Sequence, residues 1–198
     1  MNIVVDPPKA PVKPPTRAAR CRDWLCEMLP DANRKGGDRA TLAALRRASR
    51  PLDAAICPAT ITLHRILGGS NYPDGMLRTG AVAAVLSHVR ADAHRASVAT
   101  QLGRVTDGRR PMSELRFRHL LTEVHDPKRA MTALRRAVHL LDGEVNIEDL
   151  ASSMLIWLER DAPFPNAKQR SDERLLRWSY DYYGAESEGA SADTDTSA

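Results

Sequence analysis

The sequence predicts an all-α protein built as two small helical bundles. Apolar side chains recur at the helical period, Pro, Gly and Asp/Asn/Ser fall where helices start and stop, and no stretch alternates convincingly with period two. Each element follows from these signals in turn. Residues 1–16 hold Pro7, Pro8, Pro11, Pro14 and Pro15 and read as a flexible or polyproline-like arm. Arg17 to Leu29 carries Trp24, Leu25, Met28 and Leu29, and Pro30 closes it. Gly36 and Gly37 interrupt the chain, Asp38 is placed to cap the next helix, and that helix stops at Pro51. A further helix covers Ala59 to Leu67 and ends at Gly68 and Gly69. Thr79 to about Gln101 is Ala-rich and helical, with a break near Asp92.

Thr106 to Pro111, with Asp107, Gly108, Arg109 and Arg110, rarely stays helical and marks the expected boundary between an N-terminal half, 17–105, and a C-terminal half, 112–183. Ser113 then caps Glu114 to Leu121, Asp126 with Pro127 opens Lys128 to Leu141, and Asn146 caps Ile147 to Glu159. Lys168 to Tyr183 closes the fold with Trp178, Tyr180, Tyr182 and Tyr183. Residues 184–198 are Ser, Ala, Gly, Thr and acids and read as a disordered acidic tail.

Composition bounds the function. With 198 residues and 42% hydrophobic content the chain can bury one or two small cores. The formal net charge of +4 understates the basic surface, because the tail holds Glu186, Glu188, Asp193 and Asp195 but no Lys or Arg. Residues 1–183 therefore set 29 basic side chains against the remaining 21 of the 25 acidic ones. Cys21, Cys26 and Cys57 are odd in number and form no C-x-x-C pair, which argues against a disulfide framework or a zinc site. Neither a signal-peptide pattern nor an apolar run approaching ~18 residues is present. A soluble, cytoplasmic protein without membrane association is expected.

The pentapeptide Ala-Leu-Arg-Arg-Ala occurs twice, at Ala44–Ala48 and Ala133–Ala137. At about 100° per residue, Arg39, Arg46 and Arg50 stack in one stripe with Arg47 beside it, opposite Leu42, Leu45 and Ala48. In the second copy Lys128, Arg129, Arg135, Arg136 and His139 share an arc, facing away from Met131, Leu134, Ala137, Val138 and Leu141. A weaker stripe, Arg170, Arg174 and Arg177, is flanked by Glu173 and Asp181. Neither Arg39–Arg50 nor Lys128–Leu141 contains an Asp or Glu. A salt-bridged surface helix alternates sign at i, i+4; two long one-sign faces point to a polyanion.

No catalytic constellation accompanies them. The six histidines, His64, His88, His94, His119, His125 and His139, lack the paired spacing of a zinc hydrolase helix, and His88, Asp92 and His94 do not share one face. Ser70 lacks the strand-turn-helix of a nucleophile elbow, and Gly68, Gly69 and Gly75 lack the Lys and strand of a phosphate loop. Trp24, Trp157, Trp178, Tyr180 and Tyr182 could stack bases, but their spacing favours core packing. No enzyme activity, cofactor or metal is expected.

The C-terminal half carries a series of motifs in order: Arg116-Phe117-Arg118-His119-Leu120-Leu121, Asp126, Leu134-Arg135-Arg136-Ala137-Val138-His139-Leu140-Leu141, Val145-Asn146-Ile147, Leu150-Ala151, Leu155-Ile156-Trp157 and Arg177-Trp178-Ser179-Tyr180-Asp181-Tyr182-Tyr183. Together they resemble the CasB small subunit of the type I-E CRISPR Cascade complex, well over 113–183 and more loosely over Gly37–Ala48. Ser179-Tyr180, the Pro-rich arm and the acidic tail depart from that pattern. The resemblance implies an all-helical, non-catalytic protein present as two copies in an RNA-guided antiviral complex. It would bridge the repeated backbone subunits and the large subunit, near the guide RNA, and hold the target and displaced DNA strands without reading sequence. The positions implied are Arg39, Arg46 and Arg47 in the first half and Lys128, Arg135 and Arg136 in the second. Arg50 and Arg129 belong to the same basic faces, and Arg116, Arg118 and Arg177 match motif positions. Replacing Arg135 and Arg136 together is then expected to weaken DNA binding and leave the fold intact. The alternative, a free-standing helical transcriptional regulator using Arg39–Arg50 as recognition helix, lacks the Gln or Asn that would read bases.

Overall fold

The computed structural model describes residues 14–30, 37–69, 75–106, 108–163 and 165–190. Most of the Pro-rich arm, Gly36, Ser70, Asp107 and residues 191–198 lie outside the described residues. The rest forms ten helices: α1 (Arg17–Met28), α2 (Arg39–Arg47), α3 (Pro51–Ala55), α4 (Pro58–Ile66), α5 (Met76–Leu86), α6 (Val98–Gly103), α7 (Glu114–Glu123), α8 (Pro127–Leu140), α9 (Ile147–Leu158) and α10 (Ala167–Ala190). The all-α class therefore holds, with one addition. β1 (Ala91–Asp92) pairs in parallel with β2 (Glu144–Val145), a two-residue ladder too short to leave a period in the sequence.

The helix starts follow from side-chain caps. Asp38 accepts from Thr41 N, Asp126 from Arg129 N and Asn146 from Asp149 N, each pairing one of the amides that a helix start leaves open. Ser113 precedes α7 without a side-chain bond. The expected helix over Thr79–Gln101 divides into α5 and α6 around β1. α10 continues through Ala190, past Gly184, where the acidic tail is expected to begin.

Buried side chains from Ala18 to Tyr182 form one contiguous cluster. Helices from both expected halves meet in it: α1 packs on α9, α5 on α8 and α6 on α10. At its centre α5 is buried along Thr79–Leu86, and Trp157 and Trp178 meet edge to face at 4.8 Å. Trp178 Nε1 donates to Ser153 Oγ and the Tyr182 hydroxyl to Met112 O, so these two aromatics bury their polar ends paired, whereas Trp157 Nε1 is buried without a partner among the described residues. Trp24, Trp157, Trp178 and Tyr182 thus serve the core; Tyr180 is exposed.

Two glycines set how closely helices approach. A Cβ on Gly103 of α6 would collide with the Tyr182 carbonyl of α10, and one on Gly80 of α5 with the Pro51 carbonyl and Ala55 N of α3. Because the obstacle is backbone, Gly103→Ala is expected to destabilise the protein by ~1–3 kcal/mol, read as a lower urea midpoint at unchanged slope.

Candidate nucleic-acid interface

The two Ala-Leu-Arg-Arg-Ala segments meet in space. Arg135, on α8, points across to the end of α2, where its Nη1 donates to Ala48 O at 2.7 Å and its Nη2 to Leu45 O at 3.0 Å. Its Nε reaches Ala84 O in the last turn of α5 at 3.4 Å. Arg46, in the first copy, donates through Nε to Ser87 O, the residue that ends α5, at 2.6 Å. The last carbonyls of a helix have no partner within it and carry the negative end of the macrodipole, so a guanidinium is well suited to both ends. One arginine of each copy therefore holds the scaffold. Arg135 is half-buried, and burial lowers its pKa from the ordinary arginine value. The expectation that Arg135 and Arg136 can be removed together without disturbing the fold is corrected by this geometry.

The remaining candidates divide by partner. Arg50 is bound by Asp53, which lies just beyond the acid-free window: Nη2 reaches Oδ1 at 2.7 Å, and the hydrogen-bonded guanidinium holds the Asp53 carboxyl down at about 2. Arg118 pairs with Glu114 and lies against the Tyr183 hydroxyl, while Arg177 donates to Asp181 at 2.9 Å. Arg39, Arg47, Arg116, Lys128, Arg129 and Arg136 are exposed, and their side chains make no hydrogen bond or ion pair among the described residues. They are the cations available to an external anion.

Arg116 and Arg136 share a groove of about 790 Å³ between α7 and α8, walled also by His88, His119 and His139. This groove was not legible in the sequence, because it depends on how α7 lies against α8. His88 is held neutral there: burial first, then the charges of Arg135, Arg46 and His139, push its pKa down to about 4. Of the metal candidates His88, Asp92 and His94, Asp92 has its ligating group engaged in a hydrogen bond. The Asp92 carboxylate accepts from Ile147 N, and the His94 carbonyl accepts from Asn146 Nδ2. No group of three metal-ligating side chains is assembled among the described residues. None of their helices is long and apolar enough to cross a membrane.

The fold and this surface define a small helical protein with cationic helix faces gathered around a central buried helix. The chain belongs to the CRISPR-associated protein Cse2 family, whose model matches residues 41–183. Its fold is similar to that of CasB from Thermus thermophilus, with a TM-score of 0.58 and 22% identity over 85% of this chain and 99% of that one. No curated protein matches the sequence. The family suggested by the C-terminal motifs is the family found.

Two outcomes follow from the geometry. Arg135→Ala is expected to cost ~1.5–3 kcal/mol, the scale of hydrogen bonds to a charged group, whereas Arg136→Ala stays within ~0.5 kcal/mol; chemical denaturation separates them. His88 titrates lower folded than its ordinary 6.5, so its contribution is present above pH 6.5 and is lost as pH falls toward 4. Over that window His88→Gln is expected to lose less stability than the parent protein, measured as thermal midpoint against pH.

Proposed function

We propose that this chain is the non-catalytic small subunit of a Cascade-type RNA-guided surveillance complex, holding target and displaced DNA strands through phosphate contacts without reading sequence. The observation that carries this reading is that six of the cations on the basic faces and motif positions, Arg39, Arg47, Arg116, Lys128, Arg129 and Arg136, are exposed and unpartnered among the described residues, on a chain of the Cse2 family. Arginine's planar fork suits phosphate oxygens, and no Gln or Asn interleaves with the two faces to read bases. Exchange of a DNA duplex for an RNA–DNA hybrid is nearly balanced in energy, so a few backbone contacts suffice to tip it toward the open state. Bridging of the repeated backbone and large subunits, a second copy in the complex, proximity to guide RNA and a cytoplasmic location belong to the same proposal.

The test is a salt titration of single-stranded DNA binding by the complex carrying Arg47→Ala, Lys128→Ala and Arg136→Ala in this subunit. The variant is expected to bind more weakly for every sequence tried, to shorten the lifetime of the opened duplex, and to lower the log-log salt slope by ~0.7 for each phosphate no longer neutralised. Unchanged affinity and slope would contradict the proposal, and so would protection of one particular duplex sequence.

A further inference from the structure

The α7–α8 groove is apolar at its base and cationic at its rim. Met112, Leu120 and Ala133 form the floor, almost wholly buried, and Leu115 stands at the lip with 79% of its surface exposed. Arg116 rises from α7 and Arg136 from α8, both without a partner among the described residues. Glu123 is the one carboxylate in the lining, and the His119 imidazole lies against it at 3.3 Å. His88 and His139 add two further imidazoles.

Phosphates alone would not need the floor. A duplex keeps its base faces stacked inside and offers its backbone and the polar base edges of its grooves, neither of which calls for an apolar floor. A single strand has bases to place, and bases settle on apolar surfaces, imidazoles and guanidinium planes while their phosphates take the cations. At about 790 Å³ the groove lies within the ~300–1,000 Å³ of pockets that enclose small organic groups. An acidic peptide would use the two arginines as well, but the imidazoles of His88, His119 and His139 around an apolar floor give flat surfaces that suit bases.

We infer that the α7–α8 groove accepts unstacked bases of a single-stranded nucleic acid, with Arg116 and Arg136 on the flanking phosphates. This deepens the backbone-binding reading and rests on it. The groove makes the subunit selective for strands that have been opened, since a paired strand cannot present its bases there.

The test compares two probes on the full chain at low salt by fluorescence polarisation: an oligothymidylate, and an abasic oligomer of equal length and charge. The parent protein is expected to prefer the oligothymidylate by about tenfold, the scale of stacking one base. Ala133→Phe fills the groove and is expected to erase that preference. Leu115→Ala, at an exposed position, keeps the fold and reduces the preference severalfold, while both variants bind the abasic probe as before. Arg136→Ala weakens both probes. Equal parent affinities for the two probes would overturn the inference and leave backbone binding standing; binding of neither would overturn both. A full preference retained in both groove variants would also overturn it. So would loss of another protein from the assembled complex with oligothymidylate affinity unchanged, which would mark the groove as a protein dock.

Discussion

The guanidinium of Arg135 joins three helices, α2, α5 and α8, at the edge of the apolar core that they share. It holds the last carbonyls of α2 at Leu45 and Ala48 and reaches that of Ala84 in α5, while its own backbone belongs to α8. Helix ends are where backbone acceptors are left over, and a cation placed there satisfies both the hydrogen-bond and the dipole requirement. Because α5 is the buried centre of the molecule, fixing α2 and α8 against its end fixes the orientation of both basic faces. Arg46 supports the same corner from the opposite side through Ser87 O. His88 lies beside this corner, and its low titration comes first from burial and then from the charges of Arg135 and Arg46.

Basic helix faces in this protein therefore carry two kinds of arginine that differ in what surrounds them and not in type. Arg46 and Arg135 bind helix-end carbonyls and serve the scaffold, while Arg50, Arg118 and Arg177 sit in exposed ion pairs that neutralise them locally. Where there is no such partner, as for Arg47 and Arg136 among the described residues, the charge projects into solvent. Neighbours in sequence end up in different surroundings, and a groove with an apolar floor lies beside Arg136.

Much of this fold was legible because caps are local. Asp38, Asp126 and Asn146 announced three helix starts through spacing alone, and Trp157 and Trp178 announced themselves as core by their apolar neighbours. Longer-range features were not. Asp53 fell outside the acid-free window, yet one helical turn after Arg50 brings it back to neutralise that residue. Arg135 and Arg136 look alike along the chain, and only the packing of α8 on α5 and α2 tells them apart. Gly184 suggested an end to helicity, but α10 continues through Ala190.

The division of labour between adjacent arginines is tested most directly by following arginine Nε–H signals of the full chain by NMR while single-stranded DNA is added. Arg135 and Arg46 are expected to show slowly exchanging Nε–H protons that barely move, while Arg47, Arg116 and Arg136 exchange fast when free and shift or broaden on binding. Large shifts at Arg135 with none at Arg136 would contradict the account.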